Sequence, residues 1–70
     1  MIKNCMTECR AKVGNRGLSK AELAYKLRVN RSYITRLEKG CAVPGLEMAF
    51  RMADCLNCSI SDVFKWIPEN

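Results

Sequence analysis

The stretch from Lys20 to Lys39 constrains this chain most, because it writes two short apolar stripes on either side of a very brief turn. Leu23, Ala24 and Leu27 recur at helical spacing, and so do Ile34 and Leu37. Only Arg28, Val29 and Asn30 lie between Leu27, the last of the first set, and the helix that carries the second. Ser19 with Glu22 three residues on is a capping box opening the first helix. Asn30 is a suitable cap for the second, and Gly40 a suitable stop. Two helices joined so tightly must cross steeply, which requires a small residue at the contact, and Ala24 supplies it. Val29 then fills the corner, while Ile34 and Leu37 clamp the second helix on the first. Nearly everything else in that second helix is polar or charged: Arg31, Ser32, Thr35, Arg36, Glu38 and Lys39. So narrow an apolar stripe leaves a wide face for something outside the fold.

The flanking sequence reads as helices too. Ile2, Met6, Cys9 and Val13 form a stripe that predicts a first helix ending in the glycine-bracketed break of residues 14–17. After Val43, Pro44 and Gly45, the residues Leu46, Ala49, Phe50, Ala53 and Leu56 stand at core spacing for a fourth helix, which Asn57 can end in a left-handed conformation. Ser59 and Asp62 open a short fifth helix carrying Ile60, Val63 and Phe64. No segment shows strand alternation. The expectation is an all-α domain of five short helices over residues 1–70, with residues 20–39 as its functional unit.

Charge is divided unevenly. Residues 1–45 hold ten lysines and arginines against three acids, whereas residues 46–70 hold two against four. A basic half points to a polyanionic partner. There is no apolar run long enough to span a membrane, and Lys3, Asn4, Thr7 and Glu8 interrupt any export leader, so the cytoplasm is expected. Five cysteines, an odd number without an export signal, read as reduced thiols rather than a disulfide framework. Catalysis is not expected: the chain has no histidine, no glycine-rich phosphate loop and no paired acids on one face.

The segment LSKAELAYKLRVNRSYITRLEKG, residues 18–40, continued by PGLEMAFRMADCLNCSISDVF, residues 44–64, resembles the Cro/cI-type (XRE) helix-turn-helix regulators. The resemblance implies a lambda-repressor-like five-helix DNA-binding domain, with the helix around Arg31 and Lys39 entering the major groove. It places Arg31, Ser32, Thr35 and Arg36 against base edges. Lys20, Arg28, Asn30, Lys39 and Cys41 fall where phosphates are met. Arg10 and Glu38 match a structural pair bridging the first helix to the third. Three departures stand out. Arg28 occupies a turn position that is usually glycine, Lys20 replaces a common glutamine, and the connection at residues 14–17 is a few residues longer than usual.

The function implied is a sequence-specific double-stranded DNA-binding transcriptional regulator. A repressor is the simpler mode, because blocking a promoter requires nothing beyond binding. A homodimer on a pseudo-palindromic operator is expected, with no cofactor, metal or small-molecule ligand. Phe64, Trp66 and Ile67 are candidates for the dimer interface, since Trp66 and Ile67 are too apolar for a free tail; folding back onto their own core is the alternative. Two rival functions remain. One is a protein-interaction module of the same fold that ignores DNA. The other is a redox- or metal-responsive switch built on Cys5 with Cys9, Cys55 with Cys58, or the loop thiol Cys41, although Cys9 and Cys58 occupy positions suited to small apolar residues.

Overall fold

Three helices end in the same closure, and this repetition sets the path of the chain. In the computed structural model, which describes residues 1–68, the helices are α1 (Met6–Ala11), α2 (Lys20–Leu27), α3 (Arg31–Glu38), α4 (Leu46–Cys55) and α5 (Ile60–Val63). After α2, the amides of Val29 and Arg28 donate to the carbonyls of Ala24 and Tyr25 at 3.0 and 3.2 Å. After α3, Cys41 and Gly40 bond Arg36 and Leu37 at 2.9 and 3.1 Å, and after α4, Cys58 and Asn57 bond Ala53 and Asp54 at 3.0 and 3.1 Å. Each closure needs one residue in the left-handed region. Arg28, Gly40 and Asn57 supply it, with φ of 58°, 78° and 55°. For Arg28 that conformation costs roughly 1 kcal/mol relative to glycine.

The N-terminal caps follow the sequence at α2 and α5. Ser19 Oγ accepts from the Glu22 amide at 3.0 Å while the Glu22 carboxylate accepts from the Ser19 amide at 3.1 Å. These bonds hold the Glu22 carboxyl below its usual range. Ser59 and Asp62 repeat the box, and the Asp62 carboxyl is lowered likewise. Asn30 occupies the cap position of α3 without a side-chain cap bond, so its amide is not engaged by the helix it precedes. The break before α2 turns on Gly14 and Gly17, both at positive φ; a Cβ on Gly17 would meet the Ala11 carbonyl oxygen at 3.1 Å.

Met6, Leu23, Leu27, Ile34, Leu37, Met52, Leu56 and Val63 are fully buried and form the centre of the core. The most extensive helix–helix packing is between α2 and α3. No helix among the described residues is long and apolar enough to cross a membrane.

The structure corrects the sequence reading at the chain ends and in α4. Residues Ile2–Asn4 are not the start of α1 but a strand, β1, paired antiparallel with β2 (Phe64–Trp66). Ile2 faces Trp66, Lys3 faces Lys65, and Asn4 faces Phe64. The absence of strands expected from the sequence is therefore wrong in this small respect, and Phe64 lies just beyond α5 instead of inside it. The amide of Ile67 extends the pairing to the Met1 carbonyl at 2.8 Å. In α4, Met52 is fully buried, whereas Leu46 and Phe50, expected in the core, are exposed. The helix is rotated so that Ala49, Met52, Ala53 and the following Leu56 face inward.

Candidate nucleic-acid interface

The third helix is fixed by its own inner face and by one buried carboxylate. Ile34 and Leu37 are 0% and 1% exposed, which sets the rotation of α3 about its axis. At its end, the Glu38 side chain is 8% exposed and is gripped by Arg10, Nε to Oε2 at 3.0 Å and Nη2 to Oε1 at 3.2 Å. Thr7 Oγ1 donates to the same carboxylate at 3.0 Å, and Lys20 Nζ stands 4.0 Å away. The remaining Arg10 nitrogen donates to the Leu18 carbonyl at 3.0 Å, so one guanidinium joins α1, the entry to α2, and α3. The pair expected from Arg10 and Glu38 is thus present as a bidentate bridge. Asn4 adds a second fastening, donating to the Leu37 carbonyl at 2.6 Å.

What α3 presents outward follows from that rotation. Arg31, Ser32 and Arg36 are exposed and Thr35 is half-buried. Tyr33, half-buried, carries the Arg36 guanidinium over its ring at 5.7 Å from the centroid. A stacked guanidinium keeps its charge and its outer donors while losing conformational freedom. Around the helix, Arg28, Asn30, Lys39 and Cys41 are all exposed. Arg28 and Asn30 belong to the tight turn before α3, and Lys39 and Cys41 follow its last turn. Lys20 departs from this set: it is half-buried and leans toward Glu38. Residues 23–46 contain no acid except Glu38, which is turned inward beneath Arg10. The outer side of α3 and its two flanks therefore hold Arg28, Arg31, Arg36 and Lys39 with no carboxylate among them to offset their charge.

Tyr33, Thr7, Asn4 and Arg51 contribute to this arrangement and were not anticipated. Arg51 donates to the Leu27 carbonyl at 3.1 Å, closing the end of α2 before the turn. The spacing of Tyr33 and Arg36, three residues apart on a helix, was the one available signal. The partners of Thr7, Asn4 and Arg51 depend on tertiary contacts that no local spacing reveals. The dimer candidates divide. Phe64 is half-buried against the core, while Trp66 and Ile67 are 71% and 39% exposed. The tail is fastened by backbone pairing and does not cover the core with its indole. All five cysteines are free, with Cys41 exposed, Cys9 buried, and Cys5, Cys55 and Cys58 half-buried.

The sequence pattern of the helix-turn-helix family matches residues 10–63, more than half of the chain. An uncharacterized HTH-type transcriptional regulator of Archaeoglobus fulgidus is 42% identical over 63 residues, 90% of this chain and 86% of the relative. A second from the same organism is 39% identical over 63 residues, 90% and 84% of the two chains. One of Methanocaldococcus jannaschii is 40% identical over 47 residues, 67% and 71% of the two chains. The matched span runs from the arginine of the buried bridge to the last residue of α5, and it contains the whole cationic helix with its turn. The chain belongs to the Cro/cI-type helix-turn-helix family, a non-enzymatic one.

Proposed function

We propose that the protein is a transcriptional regulator that binds double-stranded DNA and inserts α3 into the major groove. One observation carries this reading: the only acid of α3 is buried under Arg10, so the exposed side of a rigidly held helix is purely cationic and polar. Arg31 and Arg36 offer the bidentate donors that match guanine, Ser32 donates or accepts, and the Thr35 methyl suits thymine. Lys20, Arg28, Asn30, Lys39 and Cys41 flank the groove and meet phosphates, which position the helix without reading sequence. The reading extends to a repressor that acts by occupying its site, in a cytoplasm where five free thiols stay reduced.

Selection of bound sequences from a random DNA pool tests the assignment, and variants apportion it. Arg31→Ala and Arg36→Ala are each expected to cost about 1–3 kcal/mol and to relax preference at particular base pairs. Lys39→Ala, a cleaner phosphate probe than the partly engaged Lys20, should weaken all sequences alike and flatten the salt dependence. Equal, sequence-independent losses for all three would sink the base-reading role. Failure to enrich any sequence would favour a protein-interaction module.

One such module reaches a single half-site, so the proposal includes a homodimer through Phe64, Trp66 and Ile67. The exposure of Trp66 and Ile67 supports this, as does an apolar groove of about 280 Å³ beside them, lined by Ile2, Val43, Pro44, Leu46, Ala49, Ile60 and Phe64. The two recognition helices would stand roughly 34 Å apart, one turn of duplex. Sedimentation at micromolar protein should give a dimer for the parent and a weakened one for Trp66→Ala. A monomeric parent rules out a dimer formed before DNA binding.

A further inference from the structure

Three of the five free thiols converge although Cys58 is distant in sequence from Cys5 and Cys9. Cys5 precedes α1, Cys9 lies one turn into it, and Cys58 stands in the turn between α4 and α5. All three line one open groove of about 450 Å³, with Glu8, Lys12, Asp62 and Lys65 around them. Cys9 is 7% exposed, while Cys5 and Cys58 are half-buried and within reach of solvent. The Cys9 thiol points to the Asp62 carbonyl at 3.6 Å, and that of Cys58 to the Leu56 carbonyl at 3.3 Å. Burial above all pushes the Cys9 thiol up to about 11. Cys9 from α1 and Cys58 from the α4–α5 turn thus open onto the same groove. Among the described residues, no group of three His, Cys, Asp or Glu side chains is arranged to hold a metal ion. Sulfur–sulfur chemistry is what remains for such a cluster.

We propose that Cys9 and Cys58 are a modification site: on exposure to a small-molecule disulfide they close an intramolecular disulfide joining α1 to the α4–α5 turn. The order of events follows from exposure. Cys58 is reachable from the groove, and its thiolate attacks one sulfur of the small disulfide, forming a mixed disulfide and expelling one thiolate, which takes up the proton Cys58 gave away. Cys9 then loses its proton and its sulfur attacks the Cys58 sulfur, expelling the second small thiolate, which takes that proton. Two protein thiols are oxidised, one small disulfide is reduced to two thiols, and proximity favours ring closure over release. Because α1 carries Arg10, the cross-link would also brace the element that holds Glu38.

The test uses the full chain with Cys41→Ser, which removes the exposed thiol most prone to intermolecular pairing. Reduced protein is treated with oxidised glutathione, alkylated, and digested with trypsin and a glutamate-specific protease that cuts at Glu8, between Cys5 and Cys9. The expected result is a monomer lighter by two hydrogens that has lost two alkylation sites, with Cys9 linked to Cys58 and Cys5 alkylated. Adding Cys58→Ser should restore alkylation of Cys9 in the denatured protein, and adding Cys5→Ser should leave the cross-link intact. Oxidation that stops at glutathione adducts, or a link that runs through Cys5, overturns the proposal. The parent digest alone decides the matter if a variant fails to fold.

Discussion

Replacing Leu37 with alanine is expected to lower the free energy of unfolding by roughly 2–5 kcal/mol. The side chain is 1% exposed and forms, with Ile34, the buried part of the inner face of α3. Truncation removes the burial of three carbons and leaves a void that the neighbouring helices fill only in part. The Leu37 backbone is committed as well, since its carbonyl accepts from Asn4 and from the Gly40 amide. These bonds hold the helix end in place and so resist the collapse that would shrink the void. In a domain of this size the loss approaches the whole stability, which is commonly 5–15 kcal/mol and smaller in short chains. Urea denaturation is the measurement: the midpoint should fall sharply with little change in slope. A curve like the parent's would mean that α3 is rotated and that its cationic face is not the one described.

The second large effect concerns the bridge. Arg10→Ala should destabilise the fold by about 3 kcal/mol, the lower end of the range for removing one partner of a buried ion pair. The cost arises mainly from what is left behind, a Glu38 carboxylate that is 8% exposed and has lost its bidentate partner. Thr7 and Lys20 still touch that carboxylate, which is why the lower end is expected. The Leu18 carbonyl loses its donor at the same time. Removing both charges, in Arg10→Ala with Glu38→Ala, should cost less than the two single losses added together. A double-mutant cycle reads this directly. Strict additivity would show that the two charges do not act as a pair.

Much of this architecture was legible because its signals are local. The capping boxes at Ser19 and Ser59, the helix ends at Gly40 and Asn57, and the inner stripes of α2 and α3 all lie within a turn or two of the residues they govern, whereas the turn position of Arg28 comes from the family resemblance. The same holds for the outward face of α3, since fixing Ile34 and Leu37 inward fixes Arg31 and Arg36 outward. The failures have a common cause. In residues 1–4 a helical stripe continued by chance through Ile2, and a strand of three residues is too short to show alternation against it. What makes Ile2–Asn4 a strand is pairing with Phe64–Trp66, which nothing nearby in the sequence announces. In α4 the apolar residues Leu46, Phe50 and Met52 fit two overlapping faces, and the orientation is settled by packing on α2 and α5. The partners of Glu38 beyond Arg10, and the meeting of Cys9 with Cys58, are likewise properties of the closed fold.

The pairing of β1 with β2 also bears on the order in which the molecule assembles. The turns that close α2, α3 and α4 join residues five apart or fewer, and they can form while most of the chain is still unstructured. The clasp instead joins positions sixty or more residues apart, from Ile2 with Trp66 to Asn4 with Phe64. Closing so long a loop is entropically expensive until the intervening helices have already drawn its ends together. The α2–α3 pair is therefore an early structure and the clasp a late one. During synthesis β1 is made before all five helices yet waits longest for its partner, and until then Asn4 has no strand to hold it against the Leu37 carbonyl. The final setting of α3 is thus coupled to the arrival of Phe64–Trp66, so a truncated product ending before residue 64 would retain Arg31 and Arg36 without the fastening that helps to hold their helix.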